Sequence, residues 1–454
     1  MSKGMNLRYV IFLACTAALG GLLFGFDVAI ITGAGSFLAR HFALSDISLG
    51  WAFSSLLFGC VLGSFAAGRL TDRLGRKRML VWVAALFAVT SVATALAPSF
   101  ALFICARFLG GVAVGGVSLL SPMYVSEVSP PHIRGRMGTF YQMSIVTGIL
   151  ISYCINYLLR NTGPANWRWM FLTGTVPSFV FLILIALAPE TPRFLVRVGQ
   201  TREAFLLLER IENEETAQKE IAAITEALKE KQQTWHNVLR PGVRRALAAS
   251  ACLAILIHVS GINTIIDYAP SIFLSAGFKV DSALASTFII GVNNVLFTMV
   301  AFWVIDRHGR KPLYITGSLG MMLALCGLLA AAVAGHFHGA LVLLLVLLYL
   351  AFFSSCVGPV FWTLVPEIFP SDVRGTAMTV PVLLQWVANA VVVLFFPYAF
   401  HVIGKAVTLA FLAVMSLTQA IFTWRYLPET KNKPLEEIEQ YWLAPKPENT
   451  RQPV

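Results

Sequence analysis

The chain has 454 residues, of which 57% are hydrophobic and 13% charged, and its formal net charge at pH 7 is +11. An ordinary soluble domain has about 25% charged residues, so this composition excludes a soluble globular protein. The hydrophobic residues form blocks of roughly 20 residues, the length of a helix that crosses about 30 Å of hydrocarbon. The sequence therefore predicts an all-α membrane protein with twelve spans, near residues 8–35, 47–70, 79–98, 101–125, 137–159, 168–188, 246–270, 282–305, 312–335, 340–364, 376–400 and 405–425.

The distribution of Lys and Arg among the loops predicts the orientation of the spans. Cytoplasmic loops of membrane proteins carry an excess of basic residues. With a cytoplasmic N-terminus, most basic residues fall inside, and those that fall outside are Arg40, Arg160, Arg168, Lys279 and Lys405. Both termini are therefore expected to be cytoplasmic. Basic loops also meet anionic lipid headgroups of the bilayer, so the net charge requires no nucleic-acid partner.

The longest interruption of the hydrophobic pattern covers residues 189–245 and is rich in charged residues. Its stretches "REAFLLLERI" and "EIAAITEALKEK" have apolar residues at helical spacing, which predicts short amphipathic helices across the cytoplasmic ends of the spans. The expected domains are an N-terminal six-helix bundle, a cytoplasmic helical linker, a C-terminal six-helix bundle and a cytoplasmic tail, at 1–188, 189–245, 246–427 and 428–454.

Three loop motifs of the first half recur in the same order in the second half. The pairs are "DRLGRK" with "DRHGRK", "SEVSPPHIRG" with "PEIFPSDVRG" and "PETPR" with "PETKN", which begin at residues 72 and 306, 126 and 366, and 189 and 428. The two bundles are therefore predicted to be parallel repeats. Transporters built from such repeats bind their substrate between the halves, near the middle of the membrane, and one half rocks against the other.

These motifs also carry a family resemblance. "GRLTDRLGRKR" after span 2 resembles the loop signature of the major facilitator superfamily, and "PETPRFL" with the later "PETK" resembles the sugar porter family within it. The similarity extends from about residue 15 to 435. The resemblance implies the major facilitator fold, with twelve transmembrane helices in two six-helix bundles, and a location in a bacterial inner membrane, which is a plasma membrane.

The repeated motifs place charged side chains of both signs where helices meet the cytoplasm. Arg and carboxylate groups at such ends can form bidentate pairs. In the resembling family this network latches the cytoplasmic gate while the protein faces outward; a role that only anchors helix ends is the alternative. The candidate gate residues are Asp72, Arg73, Arg76, Glu127, Arg134, Glu190, Arg193, Asp306, Arg307, Arg310, Glu367 and Arg374.

Two charges lie at membrane depth in the N-terminal half. Asp27 is the only charge between Arg8 and Arg40, and Arg107 is the only one from Met79 to Ser126. Each needs a partner of opposite sign in hydrocarbon, so we expect them to pair. By resemblance they match the aspartate and arginine of proton-coupled symporters, in which protonation of Asp27 would release Arg107; a static ion pair is the alternative.

A sugar site combines aromatic faces with neutral amides, because sugars offer apolar CH faces and hydroxyls that donate and accept hydrogen bonds. The spans contain such residues at positions that match substrate contacts of sugar porters: Phe24, Gln142, Asn263, Asn294, Trp362, Gln385 and Trp386. Singly, a membrane Trp is more often an interface anchor and a membrane Asn a bridge between helices.

The sequence departs from the family pattern in span 7. Ile257 and His258 replace two glutamines, and Asp267 replaces a tyrosine of the outer gate. His258 and Asp267 join the predicted substrate-binding set. Asp267 could bind a cationic or hydroxyl-rich substrate, pair with His258 or face the outer water. In an ideal helix the two lie on opposite faces, which disfavours contact unless span 7 is broken at Gly261.

The expected function is secondary active transport: proton-coupled symport of a monosaccharide or polyol, such as a pentose, hexose or inositol, by a monomer. A non-sugar organic solute on the same fold and a non-transporting sugar sensor are the alternatives. The seven cysteines have no metal or disulfide spacing, and no nucleophile or phosphate loop is recognisable. We therefore expect no enzyme activity, no cofactor and no metal.

Overall fold

The computed structural model describes residues 6–130, 133–229, 240–369, 377–431 and 442. Within these residues the regular secondary structure is helical, and twelve segments are long and apolar enough to cross a membrane. The predicted fold class and number of spans are confirmed.

The first half contains five continuous helices and one divided span. The helices are Leu7–His41, Asp46–Leu74, Arg76–Leu96, Phe100–Val128 and Arg134–Leu159, and span 6 consists of Asn166–Leu172 and Thr175–Leu187.

The linker contains three described helices, Pro192–Arg197, Thr201–Ile211 and Glu214–Lys229. They lie beside the start of span 1, where the Asn6 N–H donates to the Ile211 carbonyl at 2.9 Å. We call this side of the bundle the linker side and the opposite side the far side.

The second half has more interruptions than the first. Its helices are Pro241–Val259, Ile262–Asp267 and Ala269–Ser275 in span 7, Val280–His308 in span 8, Arg310–Val333 in span 9, Gly339–Phe352 and Gly358–Ile368 in span 10, Thr379–Tyr398 in span 11 and Lys405–Tyr426 in span 12. Five-residue π-helical segments, Phe353–Val357 and Ala399–Ile403, occur in spans 10 and 11.

Span 7 is broken at the glycine that the sequence suggested. Gly261 has φ of 98°, in the left-handed region that glycine adopts without steric cost. The helix ends at Val259 and resumes at Ile262, so the polar residues beyond the break no longer follow the first helix's periodicity. A transmembrane break of this kind is tolerated where its backbone is covered by protein.

Spans 2 and 4 of the first half pack backbone to backbone. A Cβ atom on Gly59 would lie 2.0 Å from the Phe108 carbonyl oxygen, and one on Gly111 would lie 1.9 Å from the Leu56 carbonyl oxygen. Only glycine fits at these positions, and such close approach is how small residues join membrane helices. The contact makes the two helices one unit within the half.

The two halves meet tightly at the far side. A Cβ on Gly50 in span 2 would lie 1.9 Å from the Leu394 carbonyl oxygen in span 11. The Phe53 ring lies 4.4 Å from that of Tyr268 in span 7. An ion pair and a hydrogen bond cross between the halves at the same side: Arg160 pairs with Asp281 at 2.7 Å, and the His401 ring contacts Asp46 at 2.9 Å. The far side is therefore closed.

Closure of the far side should fail when Gly50 gains a side chain. In Gly50→Ala the Cβ would overlap the Leu394 carbonyl oxygen, so the halves must separate there. Spin labels at Asn161 and Val402, in a background without the seven native cysteines, should report a longer distance between the far ends.

Gly68→Ala is the matched control in the same span, since its Cβ would make an ordinary contact of 3.6 Å with Leu119. Equal distances in both variants would contradict a tight glycine contact between the halves.

Candidate functional site

Asp27 and Arg107 form a direct ion pair between spans 1 and 4. The Arg107 Nη1 atom donates to Asp27 Oδ1 at 2.8 Å and to the Asp27 carbonyl oxygen at 3.2 Å. The arginine side chain is 2% exposed and that of the aspartate 17%. The guanidinium also lies 5.3 Å from the centre of the Phe171 ring, a cation–π contact. The structure thus brings together the two charges that the sequence places at membrane depth.

The pair does not satisfy the whole guanidinium. The Nε and Nη2 atoms of Arg107 are buried and have no hydrogen-bond partner within the described residues. A buried donor without an acceptor is energetically unfavourable, so another acceptor is expected to bind these atoms in some conformation of the protein.

Asp267 is buried in the interface, with a side chain that is 4% exposed. In this far-side-closed conformation it does not face water. Arg107 is a charged group that interacts electrostatically with it. Among the described residues His258 makes no hydrogen bond or ion pair with it, although span 7 is broken between them; the imidazole interacts with Asn263 and Gln385 instead.

Three predicted substrate-binding residues, His258, Asn263 and Gln385, lie near an aromatic pair of the same set that crosses between the halves. The Phe24 ring of span 1 lies 5.7 Å from the Trp386 ring of span 11, next to Gln385. The Trp386 Nε1 and His258 Nδ1 atoms are buried without a hydrogen-bond partner in the described part of the chain. An apolar face and free polar atoms in one place suit a polyhydroxylated ligand.

Asn389 is a further buried amide that the sequence motifs do not single out. It lies one turn beyond Gln385 on the same face of span 11. Its side chain is 1% exposed, and both amide atoms lack a partner among the described residues. The spacing of four residues between two membrane amides was the available signal. Asn389 extends the polar face of span 11 towards the far side.

The other predicted substrate-binding residues are less closely joined. Gln142 is half-buried in span 5, and Asn294 accepts a hydrogen bond from Ser354 at 2.8 Å. Trp362 is 48% exposed and stands edge-on to Phe361. In the described part of the chain, no hydrogen bond or ring contact connects these residues to the His258 cluster.

At the linker side of the first half, the loop motifs form a compact polar cluster. Arg76 pairs with Glu127 of span 4 at 3.0 Å. Glu190 accepts hydrogen bonds from the backbone N–H groups of Arg76 and Lys77, each at 3.0 Å, at the start of span 3. Asp72 pairs with Arg197 of the linker at 2.6 Å. Carboxylates at a helix N-terminus interact favourably with its dipole.

The second half repeats this cluster. Arg310 pairs with Glu367 at 3.3 Å, and Glu429 accepts hydrogen bonds from the N–H groups of Arg310 and Lys311 at 3.0 and 3.1 Å. Glu429 therefore has the same role as Glu190 and was missed, although the repeated "PET" motif marks both residues. These ion pairs hold helices within one half; they do not join the two halves.

The remaining candidate gate residues contribute less to this picture. Arg73, Arg193 and Arg307 have exposed side chains. The side chains of Arg134 and Asp306, and the whole of Arg374, lie outside the described residues.

Residues 13–442 match the model of a protein family described as sugar (and other) transporter. The chain belongs to this family. Its match covers nearly the whole chain, and the helical architecture, the repeated motifs and the buried ion pair are all within it. The protein is a member of the sugar porter group of the major facilitator superfamily, as the sequence motifs predicted.

Two bacterial relatives are similar to this chain over almost their full length. The chain is 36% identical to the arabinose-proton symporter of Bacillus subtilis, over 98% of this chain and 97% of that one. It is 35% identical to the D-xylose-proton symporter of Escherichia coli, over 100% of this chain and 99% of that one.

Solved structures of the xylose transporter XylE from E. coli share the fold. The inward-open conformation has a TM-score of 0.85 at 33% identity and covers 96% of this chain and 100% of that one. The complex with 6-bromo-6-deoxy-D-glucose has a TM-score of 0.82 at 34% identity, with the same coverage. The fold class is therefore confirmed by comparison as well as by the helices themselves.

The PET carboxylates should stabilise each half. In Glu429→Gln, the two N–H groups at the start of span 9 keep a neutral acceptor but lose the charge that interacts with the helix dipole, which should lower the free energy of unfolding by about 1 kcal/mol. Thermal denaturation of the purified protein in detergent measures this.

Glu190→Gln should show a loss of similar size, because the first half has the same contacts. Glu209→Gln, an exposed carboxylate in the last turn of the linker helix Thr201–Ile211, is the control and should not lower stability. Equal stability of all three variants would argue against a capping role.

Proposed function

We propose that the protein is a proton-coupled symporter for a monosaccharide or polyol, such as a pentose, hexose or inositol, that works by alternating access in a bacterial inner membrane. The observation that carries the proposal is the buried ion pair of Asp27 and Arg107, one helix turn from the aromatic residue Phe24. The similarity to an arabinose-proton symporter and a D-xylose-proton symporter supports it.

The pair can couple protons to movement by charge neutralisation. An ionised Asp27 holds Arg107, whereas a protonated Asp27 leaves the guanidinium free to find another acceptor. A conformational change that alternates the access of this carboxyl to the two sides of the membrane then moves one proton per cycle. The partial exposure of the Asp27 side chain, 17% against 2% for Arg107, suits it to exchange protons with water.

One proton supplies enough energy for accumulation. About 2.3 kcal/mol per 100 mV of membrane potential and about 1.36 kcal/mol per unit of pH difference amount to roughly 4 to 5 kcal/mol in an energised cell. That energy corresponds to on the order of a thousandfold accumulation of a neutral sugar.

The substrate is proposed to lie between Phe24 and the polar face of span 11. The aromatic rings of Phe24 and Trp386 would cover the apolar face of the sugar, and the unpartnered atoms of His258, Trp386 and Asn389 would bond its hydroxyls. Gln142, Asn263, Asn294, Trp362 and Gln385 are the other proposed contacts. Because both halves of this site belong to one chain, a monomer is sufficient.

The linker side is proposed to be cytoplasmic, with both termini, because the basic loops lie there. The closed far side would then face outward, so the described conformation would open its site to the cytoplasm. The similarity to an inward-open XylE structure supports this orientation. The clusters around Glu127 and Glu367 would meet across the gate when the protein faces outward.

Uptake of labelled sugars into liposomes that contain the purified protein tests the proposal. The panel should include pentoses, hexoses, inositols and amino sugars, with and without an inward proton gradient. Accumulation of one sugar only with the gradient is the expected result. Facilitated equilibration without accumulation, or binding without transport, would contradict symport.

Asp27→Asn should abolish accumulation and preserve exchange of sugar across the membrane, because the amide fills the same volume but binds no proton. Accumulation is measured with a proton gradient, and exchange by counterflow of labelled against unlabelled sugar. Accumulation at the wild-type level would contradict a coupling role for Asp27, and loss of counterflow as well would assign it to binding.

Loss of a substrate contact should weaken affinity without changing the proton dependence. Gln385→Ala removes a buried amide beside His258, and Trp362→Ala removes an aromatic face; each should raise the apparent dissociation constant about tenfold.

Trp303→Ala is the control for the aromatic variant, because Trp303 is also a membrane tryptophan and is 73% exposed. If Trp362→Ala and Trp303→Ala have the same affinity for the sugar, Trp362 is not part of the site. If the affinity of Gln385→Ala is unchanged, Gln385 is not part of it.

A further inference from the structure

Asp267 is a buried carboxylate without a partner of its own. Its side chain is 4% exposed, and its Oδ1 atom has no hydrogen-bond partner among the described residues. The guanidinium that interacts with it, Arg107, is already bonded to Asp27 at 2.8 Å. Two carboxylates therefore compete for one cation in a site from which water is largely excluded.

The charges of this group do not balance when all three residues are ionised. Two carboxylates and one guanidinium leave a net charge of −1, and a buried uncompensated charge is strongly unfavourable. One bound proton makes the group neutral. The other titratable groups around it, Cys60 of span 2, Tyr153 of span 5 and Tyr268 of span 7, are neutral at their ordinary pKa values and supply no positive charge.

The third charge comes from the opposite half of the protein. Asp27 and Arg107 belong to spans 1 and 4, whereas Asp267 ends the helix Ile262–Asp267 that follows the break in span 7. The next residue, Tyr268, holds this helix end at the interface: its ring contacts Phe53 of the first half, and its hydroxyl donates to the Val393 carbonyl at 3.0 Å.

The electrostatic interaction of Asp267 with Arg107 therefore depends on the closed far side. The Phe53–Tyr268 contact, at 4.4 Å between ring centres, belongs to the set of contacts that close that side. When those contacts part, the Asp267 carboxylate moves with the second half and the Asp27–Arg107 pair stays with the first.

We propose that Asp267 is a third member of the proton-coupling site, which makes closure of the far side depend on a bound proton. In the far-open state the ionised Asp27–Arg107 pair is neutral by itself. Closure adds the negative charge of Asp267, and a proton from the far side, bound to either carboxylate, restores neutrality. Arg107 then pairs with the carboxylate that remains ionised, and its free Nε and Nη2 atoms are available for that second acceptor.

The proposal deepens the proposed function and rests on it for its transport consequences. In Asp267→Asn the closed site is neutral without a proton, so closure no longer requires one. We expect downhill uptake to persist and to lose most of its pH dependence, while accumulation under a proton gradient falls at least tenfold. Asp267→Glu, which keeps the carboxylate, should retain coupled accumulation.

A second measurement does not depend on transport. Infrared spectra of the purified protein at neutral pH should contain the C=O stretching band of a buried carboxylic acid, and this band should be lost or strongly reduced in Asp267→Asn. Glu203→Gln, which removes an exposed linker carboxylate, should leave it unchanged. A band that is identical in wild type and Asp267→Asn would overturn the proposal.

The outcomes separate this proposal from the proposed function. If the wild type accumulates a sugar and Asp267→Asn changes only the affinity for it, Asp267 is a substrate contact and the proposal is wrong. If the wild type accumulates no sugar of the panel, the proposed function fails, and the infrared comparison still decides whether Asp267 shares a proton.

Discussion

A guanidinium buried among hydrocarbon side chains requires an anion, and the structure is organised around that requirement. Arg107 is 2% exposed and bonds Asp27 at 2.8 Å across spans 1 and 4. Neither charge would be tolerated alone at that depth. Because the anion bonded to it is a titratable carboxylate, the stability of the interior is tied to proton occupancy, and a structural necessity becomes available for energy coupling.

The movement proposed to use this coupling is one between two rigid bodies. Backbone contact through Gly59 and Gly111 fixes spans 2 and 4 within the first half. Glu190 and Glu429 bind the starts of spans 3 and 9 in the same way, so each half has its own polar cluster at the linker side. The contacts between the halves are of another kind: ring faces, an ion pair, a hydrogen bond and a glycine surface, all of which can part without unfolding a helix.

Most of the architecture could be predicted from the sequence because it follows from local chemistry. The lengths of the hydrophobic blocks predict the spans, and isolated charges of opposite sign within them predict an ion pair. Gly261 marks the place where span 7 could break. The ion pair of Asp27 with Arg107 and the interaction of His258 with Asn263 and Gln385 involve residues that the sequence singled out.

What could not be predicted depends on which surfaces meet in three dimensions. Nothing in the sequence indicates that Arg160 pairs with Asp281, or His401 with Asp46, because each pair joins the ends of helices from different halves. These two pairs differ from the Asp27–Arg107 pair in their access to water: the Asp281 side chain is 66% exposed. Dissolved salt weakens the attraction between exposed charges and acts much less on a buried pair. The ionic strength of the medium on the far side therefore acts on the Arg160–Asp281 pair, and so on how long the closed state lasts, at a place separate from the buried carboxylates that the proton reaches.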